Sequence, residues 1–307
     1  MIDTALRIFQ MAAMTENFTR TASALQMTQP NVSAHIRRLE KEIGAALFTR
    51  EGHNVKLTPA GRSLLKSADQ ILELSGNAAR LARNAARENH CMNIGATMTA
   101  GGYVLPLLAG EFKRRNPGFS FGITVANTQE ITERLKRGVL DFALVEGPFD
   151  SDYFLSRELL RDRLVIAGHR DMPLFKDGGA ADVCELMRQR EPLALRESGS
   201  GTRYHFENFL RGLGRELKPR GGVLELNCPE AIKSLLRGKY ALTVISELCI
   251  RHELDSGEFK ACDFAEGAIL RPMHFIYLPD ENMKLHESFI RFCRRQVASV
   301  PSAPVHV

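Results

Sequence analysis

Apolar positions near the start of the chain repeat every three or four residues, the spacing of amphipathic helices. One short helix is predicted over residues 19–25, followed by a tight turn. A second helix is predicted to begin at Gln29, because Thr28 can cap its first turn and Pro30 is tolerated there. The apolar residues of this second helix form one stripe that we expect to be buried: Val32, Ile36, Leu39 and Ile43.

The opposite face of the second helix is polar and basic. In a helix-turn-helix, the second helix enters the major groove of DNA with its N-terminal residues on base edges. Gly44 is expected to end this helix, and residues 50–54 to form the turn of a two-stranded wing. The predicted DNA interface comprises Thr28, Gln29, Pro30, Asn31, Ser33, Arg37, Arg38, Arg50, His53 and Lys56. For each side chain alone, a solvated helix face or an ordinary hairpin is the simpler alternative.

The types of side chain on this face suggest how DNA is read. Gln29 and Asn31 carry amides that can make paired hydrogen bonds to adenine. Arg37 and Arg38 suit phosphates or a guanine, and the basic residues of the wing suit phosphates or a minor groove. The combination therefore predicts binding to double-stranded DNA.

A long helix is predicted next, starting at Thr58 and Pro59 and running without internal proline to about Asn89. One apolar stripe along it comprises Leu65, Ala68, Leu72, Ser75, Ala79, Ala82 and Ala86. A second, adjacent stripe comprises Ile71, Leu74, Ala78, Leu81 and Ala85. Two stripes indicate two packing partners, so we expect this helix to pair with its copy in a dimer. The alternative is that one stripe packs on a helix over residues 5–14.

Positive charge is concentrated at the start of the chain. Residues 1–90 hold twelve Lys or Arg and eight Asp or Glu, which accounts for +4 of the overall +5. Phosphate binding depends on such local charge, so this balance favours nucleic acid over a membrane surface. With 307 residues, the chain is long enough for a large core beyond this basic part.

The sequence shows no sign of a membrane or of export. No apolar run approaches the roughly 20 residues of a membrane span, and the first residues do not resemble a signal peptide. The six cysteines are scattered without a C-x-x-C pair, which indicates reduced thiols and neither a disulfide framework nor a zinc site. We therefore expect a cytoplasmic protein without a metal or a membrane partner.

From residue 92 the pattern changes to short strands that alternate with helices, the order of an α/β domain with a parallel sheet. Strands are predicted over residues 92–96, 119–125, 141–145, 163–167, 193–195, 223–226, 241–245 and 274–278. Helices are predicted over residues 100–115, 129–137, 181–189, 202–213, 229–237 and 284–297. This order favours two subdomains with a cleft between them, and the last strand and helix return to the first subdomain.

Three loops at the ends of predicted strands carry hydroxyl groups. They contain Thr97, Met98 and Thr99; Asn127 and Thr128; and Ser198, Ser200, Gly201 and Thr202. Ligands of such sheets bind at these strand ends, where helix N-termini present free N–H groups. Because hydroxyls and N–H groups are hydrogen-bond donors, we expect a small anion in the cleft. A plain helix cap after a flexible loop is the alternative for the Gly-Ser-Gly-Thr run.

The sequence resembles the LysR-type transcriptional regulators. The N-terminal part matches that family in F-T-R-T-A-S-A-L, T-Q-P-N-V-S, I-R-R-L-E-K-E-I-G, L-F-T-R and L-T-P-A-G. The C-terminal part is similar to members that control carbon fixation and sulfur assimilation, in I-G-A-T-M-T-A-G-G-Y-V-L-P, D-F-A-L-V-E-G-P, R-E-S-G-S-G-T-R and L-E-L-N-C-P-E-A-I-K. These motifs add Glu146 and Cys228 to the expected effector site.

The resemblance implies an N-terminal all-α winged helix-turn-helix with a linker helix, followed by a two-subdomain effector domain like a periplasmic binding protein. The expected boundaries are residues 1–58 for DNA binding, 59–89 for the linker and 90–300 for the effector domain. Subdomain I would cover about residues 91–163 and 268–300, and subdomain II about residues 164–267. The implied partners are promoter DNA, a second copy of the chain in a dimer or tetramer, and RNA polymerase. A small anionic effector is expected, and no cofactor.

Two other classes of protein compete with a regulator. A Ser-based α/β hydrolase could use Ser198 or Ser200 with His205, but the spacing is not that of a nucleophile elbow. No P-loop and no complete G-x-G-x-x-G follows a strand. A solute receptor would lack the N-terminal DNA-binding part. The sequence therefore favours a metabolite-responsive regulator that is not an enzyme.

Overall fold

The computed structural model describes residues 2–51, 54–85, 90–176, 179–279 and 283–298. The chain divides into two compact units, one over residues 1–88 and one over residues 89–307. The first is helical with a small hairpin, and the second is built on one large mixed sheet. Among the described residues, no helix is long and apolar enough to cross a bilayer.

The first unit consists of helices around a small hairpin. Its elements are α1 (Ile2–Thr15), α2 (Phe18–Ala24), α3 (Gln29–Ile43), β1 (Phe48–Glu51), β2 (Asn54–Leu57) and α4 (Pro59–Ala85). The side chain of Asn17 accepts hydrogen bonds from the backbone N–H groups of Thr19 and Arg20, which fixes the start of α2. Phe9 and Leu47 are fully buried at the centre of the core.

Helix α3 begins and ends where the sequence predicts. Thr28 has the extended backbone of a capping residue, but its hydroxyl makes no capping hydrogen bond among the described residues. Gly44 ends the helix in the left-handed conformation, with φ of 78°. The expected buried stripe ends one turn early, because Ile43 is 48% exposed. Ile43 is the last helical residue, and the core covers the helix only as far as Leu39.

The wing is an antiparallel hairpin of β1 and β2. Phe48 pairs with Leu57, and Glu51 pairs with Asn54. The ring of Phe48 packs edge-on against Phe9 and Phe18, with centroid distances of 5.5 and 5.4 Å. These contacts attach the hairpin to the helical core.

Helix α4 uses one of its two apolar stripes inside the first unit. Thr58 caps it, because its hydroxyl accepts the N–H of Gly61 at 2.9 Å. Of the first stripe, Ala68 is fully buried, and Leu65 and Leu72 pack beside it on the core that includes α1. Of the second, Ile71 and Leu74 are 41% and 42% exposed. Stripe positions from residue 81 onward lie outside the described side chains.

The second unit begins at residue 90. Its helices are α5 (Leu105–Arg115), α6 (Thr128–Lys136), α7 (Val183–Arg188), α8 (Gly201–Gly212), α9 (Pro229–Arg237), α10 (Glu247–Asp255) and α11 (Met283–Ala298). Its strands are β3 (His90–Ala96), β4 (Phe119–Val125), β5 (Phe142–Val145), β6 (Leu155–His169), β7 (Leu193–Arg196), β8 (Val223–Leu226), β9 (Leu242–Ser246), β10 (Phe259–Cys262) and β11 (Ile269–Tyr277).

The sheet of the second unit is mixed, whereas the alternation of elements predicted a parallel one. Its strand order is β4-β3-β5-β11-β6-β9-β7-β8, and β10 pairs with β6. The parallel prediction is right for the outer groups, β4-β3-β5 and β9-β7-β8. It is wrong for β6 and β11, which are antiparallel to each other and to their neighbours. The antiparallel pair of β6 and β11 therefore joins the two parallel groups.

Two lobes follow from this topology. The first lobe comprises β3, β4 and β5 with α5, α6 and α11, and the second comprises β7, β8 and β9 with α8 and α9. Buried side chains of α11, among them Phe289 and Cys293, pack on Met92 and Phe142 of the first lobe. Helix α11 thus returns to the lobe in which the unit begins.

Candidate DNA interface and effector cleft

Helix α3 presents amide and basic side chains to solvent. Gln29, Asn31 and Arg37 are all exposed. The Gln29 side chain donates a hydrogen bond from Nε2 to Ser33 Oγ at 2.9 Å. Ser33 is buried, so its hydroxyl orients Gln29 and does not face solvent. The amide of Gln29 keeps its carbonyl oxygen and one N–H for a base edge.

The remaining predicted DNA contacts lie at the start of α3, further along α3 and on the wing. Thr28, Pro30, Arg38 and Lys56 are exposed. Arg38 pairs with Glu42 at 3.0 Å, and both side chains are more than half exposed. Such a surface pair contributes about 0–1 kcal/mol, so the guanidinium can exchange its partner for a phosphate. His53 and the side chain of Arg50 lie outside the described residues.

Two glycines, one from each lobe, meet closely in the cleft of the second unit. A β-carbon on Gly201 would lie 3.0 Å from the backbone nitrogen of Gly147, and one on Gly147 would lie 2.4 Å from Thr128 Oγ1. Neither position has room for a side chain. Helices α6 and α8 begin at Thr128 and Gly201, so the N-termini of one helix from each lobe meet at Gly147.

A fully buried arginine connects the two lobes beneath this contact. Arg271, on β11, pairs with Asp162 on β6, with its Nη2 2.6 Å from Asp162 Oδ2. It also donates to Thr99 Oγ1 at 3.0 Å and to Thr202 Oγ1 at 2.9 Å. The hydroxyl of Ser246 donates to Asp162 Oδ1 at 2.8 Å. The guanidinium of Arg271 thus hydrogen-bonds to one hydroxyl from each lobe and pairs with a buried carboxylate on β6.

A second buried carboxylate occupies the loop after β5. Glu146 is 4% exposed. Its carboxylate accepts hydrogen bonds from the hydroxyl of Thr97 and from the backbone N–H of Thr99, the latter at 3.2 Å. Arg271 Nη1 lies 3.7 Å from Glu146 Oε1. The Thr97 hydroxyl and the Thr99 N–H, both in a loop predicted to receive an anion, therefore already have a partner within the chain.

Burial controls the titration of this cluster. It raises the pKa values of Glu146 and Asp162, against the opposing effect of Arg271, because an ionised carboxylate loses its hydration there. Burial and the charge of Arg271 lower the pKa of His205, whose Nε2 lies 3.1 Å from the carbonyl oxygen of Glu146. Burial raises the pKa of the Cys249 thiol to about 12. Arg271 is thus the cation that opposes the effect of burial on both carboxylates.

A cavity of about 340 Å³ opens beside the two glycines. It is lined by Thr128, Gln129, Thr132, Lys136, Pro148, Phe149, Asp150, Phe154 and Gly199. The Thr128 hydroxyl is buried and has no hydrogen-bond partner within the described part of the chain. A buried polar group without a partner is costly, so this hydroxyl is a ready contact for a ligand.

The other predicted effector residues have structural roles or lie at the edge of the site. Asn127 caps α6 by accepting the N–H of Glu130 at 2.9 Å. Ser200 is buried at the start of α8, and Ser198 is exposed. Cys228 precedes α9 as its capping residue, and Met98 is half-buried beside Thr97.

A further polar contact joins the lobes through Tyr103, in a π-helical turn over Ala100–Val104. This turn replaces the first part of the helix predicted over residues 100–115. The Tyr103 hydroxyl donates to Glu230 at 2.7 Å, and burial raises the pKa of Tyr103. Lys233 lies 2.7 Å from Glu230 and 2.9 Å from Glu253, with its ammonium 5.5 Å from the centroid of the Tyr103 ring.

The predicted site lacked Arg271, Asp162 and Ser246. Strand alternation carries a signal for two of them. Arg271 has the same parity as Ile269, Met273 and Phe275, and Asp162 the same parity as Leu160, Leu164 and Ile166, all of them buried. A charged residue in phase with the apolar face of a strand indicates a buried ion pair. Ser246 is the last residue of the apolar strand β9 and carries no comparable signal.

The geometry does not support a serine nucleophile. His205 Nε2 contacts the backbone carbonyl oxygen of Glu146, so this nitrogen is already engaged by the backbone. The acid Glu225 forms a salt bridge with Arg203.

A helix-turn-helix with a wing, a long helix and a two-lobed α/β domain together define a ligand-responsive transcriptional regulator. The chain belongs to the LysR family. Residues 4–62 match the family model for the bacterial regulatory helix-turn-helix protein, lysR family, and residues 86–298 match that for the LysR substrate binding domain. The protein is thus a DNA-binding transcriptional regulator with an effector-binding domain, and not an enzyme.

Similar curated proteins cover nearly the whole chain. The chain is 30% identical to a RuBisCO operon transcriptional regulator of Acidithiobacillus ferrooxidans, covering 89% of this chain and 86% of that protein. It is 28% identical to the transcriptional regulator CysL of Bacillus subtilis (strain 168), with 96% and 97% covered. These relatives agree with the resemblance to carbon-fixation and sulfur regulators.

Solved structures show the same fold. Full-length CbnR, a LysR family transcriptional regulator, superposes with a TM-score of 0.76 at 21% identity, covering 96% of this chain and 99% of that one. The Synechocystis PCC6803 CcmR regulatory domain in complex with 2-PG superposes with a TM-score of 0.61 at 24% identity. That match covers 70% of this chain and all of the CcmR domain.

Proposed function

We propose that this regulator reads promoter DNA through α3 and the wing, and that a small anion in the cleft changes that reading. The observation that supports the effector is the meeting of α6 and α8 at Gly147. Helix N-termini carry positive dipoles and free N–H groups, which bind anions. The solved CcmR domain, which holds the anionic metabolite 2-PG, supports the same class of ligand.

In this proposal each part of the chain has one role. Residues 1–58 bind DNA, residues 59–89 pair two copies, and residues 90–300 hold the effector. The exposed second stripe of α4 supports pairing, because Ile71 and Leu74 leave apolar surface uncovered in one chain. A tetramer of two such dimers, and RNA polymerase as a further partner, are parts of the same proposal.

In this proposal, effector binding is coupled to DNA binding through the relative positions of the two lobes. An anion that binds one arrangement of the lobes more tightly than another shifts the population toward it. In a dimer or tetramer, that shift changes how well several DNA-binding units engage their half-sites at once. Because linked binding multiplies affinities, a small change in spacing alters occupancy or DNA bending strongly.

The effector part is tested by footprinting on the promoter region of the protein's own gene. We expect protection or hypersensitive bands to change when sulfite, nitrite or 2-PG is added, because the bound anion alters the spacing of half-sites. Sodium chloride at equal ionic strength serves as the control. An unchanged pattern with every anion would rule out an anionic effector, while the footprint itself would retain the DNA-binding role.

Replacing Gln29 and Arg37 with Ala should abolish specific DNA binding. Each base contact contributes about 1–3 kcal/mol, so the two losses weaken specific binding by roughly 10²-fold or more. Fluorescence anisotropy with a promoter fragment and with a scrambled duplex measures this.

The matched control replaces Arg188 and Gln189, at the end of α7, with Ala. This control should bind the promoter like the wild type. If the Gln29 and Arg37 variant lost its helical circular dichroism, these residues would be structural, and the assignment of base contacts would be wrong.

A further inference from the structure

The donors of the inner cleft serve a carboxylate that belongs to the chain. Thr97 donates its hydroxyl, and Thr99 its backbone N–H, to the two oxygens of Glu146. Arg271 adds a guanidinium 3.7 Å from one of these oxygens. A hydroxyl, a helix-start N–H and a guanidinium are the groups that bind small anions in proteins.

Parallel pairing of β3 and β5 brings these groups together. Ala96 is opposite Leu144 in the register, so the loops after both strands leave the sheet at the same edge. Thr97 and Thr99 follow Ala96 closely, and Glu146 follows Leu144 by two residues. The neighbouring strand therefore supplies the anion for the donors of the first loop.

A second anion at the same place would be repelled by the carboxylates already there. Glu146 is buried, and Asp162 lies on the other side of Arg271, which has one positive charge for two carboxylates. An ionised ligand beside Glu146 would add like charge in a region with little water to screen it. The hydroxyls of Thr99 and Thr202 are likewise held by Arg271.

The adjacent cavity, unlike the inner cleft, is lined by a hydroxyl that has no partner in the described residues. This buried hydroxyl belongs to Thr128, at the start of the nine-residue helix α6. Lys136 also lines the cavity, with its ammonium 4.9 Å from the centroid of the Tyr153 ring. The volume of about 340 Å³ is suited to a small metabolite.

We infer that Glu146 is a built-in carboxylate ligand that fills the inner anion subsite, so that an effector anion binds in the outer cavity at Thr128. The inner part of this assignment stands on contacts within the chain alone, and the outer part rests on the proposed function. Glu146 is thereby a specificity residue: it excludes anions from Arg271 and keeps the donors of both lobes engaged without an effector.

Chemical rescue of Glu146→Ala in the full-length protein tests the inner assignment. This variant leaves the donors of Thr97, Thr99 and Arg271 without their carboxylate and leaves space for a formate ion. Sodium formate should raise its melting temperature in a saturable manner, because a ligand of the folded state stabilises it by mass action. Wild type should respond to formate only as it responds to sodium chloride.

Glu133→Ala is the matched control, since this acid is half exposed on α6 and its oxygen lies 3.9 Å from Arg137. It should show no response specific to formate. If formate and chloride acted alike on Glu146→Ala, the inner donors would not form an anion subsite and the inference would fail. Should Glu146→Ala not fold, Glu146→Gln keeps the shape and removes the charge, and it should bind inorganic phosphate several-fold more tightly than wild type.

Phosphate titration of three proteins tests the outer assignment. In wild type, calorimetry should show one phosphate site that Thr128→Val abolishes and Thr97→Val preserves. If Thr97→Val abolished the phosphate site and Thr128→Val preserved it, phosphate would be displacing Glu146. That result would overturn the inference but leave anion sensing intact. Formate rescue of Glu146→Ala, with no tested anion bound by wild type, would support the built-in ligand and count against the anionic effector.

Discussion

Arg271→Met is expected to lower the free energy of unfolding of the second unit by about 3–5 kcal/mol. The substitution leaves Asp162 buried without its cation, and breaking one side of a buried ion pair typically costs that much. It also removes the donor to Thr99 and Thr202. Urea unfolding followed by tyrosine fluorescence measures the effect. All five tyrosines lie beyond residue 90 and the chain has no tryptophan, so the signal reports on the second unit.

Arg161→Met is the matched control, one residue before Asp162 on β6. Arg161 pairs with Glu158 at 2.9 Å on the surface, and its loss should cost about 0–1 kcal/mol. Adding Asp162→Asn to Arg271→Met should recover part of the loss, because the uncompensated charge is then gone. Equal effects of the two arginine variants would show that the buried pair does not connect the lobes.

Replacing Ile71 and Leu74 with Glu is expected to separate the paired chains. Both side chains are exposed on α4 in one chain, and a pairing interface would bring each glutamate against apolar surface. Native mass spectrometry should show loss of the dimer. Because two linked binding units gain roughly 10²–10⁴-fold in avidity, affinity for a two-half-site promoter should fall by a similar factor.

Lys66→Glu provides a charge-matched control, since it also changes the net charge by two units. Lys66 is exposed on α4 and belongs to neither stripe. It should remain paired, so any difference between the variants reflects the interface and not overall charge. A double-glutamate variant that kept the mass of a dimer would show that the second stripe of α4 is not the pairing surface.

The sequence predicted the parts of the fold that local patterns determine. Helix α3 was predicted from Gln29 to Gly44, and strands β4 and β8 and helix α9 match their predicted bounds. A capping position, a proline in the first turn and an apolar stripe are all local signals, so one segment contains them. The family and the two-part architecture are confirmed by the family models.

Elements that depend on distant partners were missed. Strand β6 extends from Leu155 to His169, but only residues 163–167 were predicted, because its first half is rich in charged residues. Helix α10 and strand β10 were not predicted, since they are short, with nine and four residues. Their stability comes from contacts within the folded sheet, which no local window contains.

The chemistry of the cleft could also be predicted only in part from the sequence. Polar loops at strand ends were predicted, and the structure brings Thr97, Thr99, Glu146 and Thr202 together around Arg271. The identities of the donors do not reveal whether their hydrogen bonds are already used inside the chain. That depends on Arg271, more than 120 residues away from Glu146 in the sequence.

The long antiparallel pairing of β6 with β11 has a mechanical consequence. Both lobes are attached along one continuous strand of 15 residues, so no flexible loop at β6 can act as a free hinge. Paired strands tolerate a range of twist but resist stretching, because their length is fixed by their backbone. We therefore expect motion between the lobes to be torsional, so that a ligand would produce a rotation of limited amplitude.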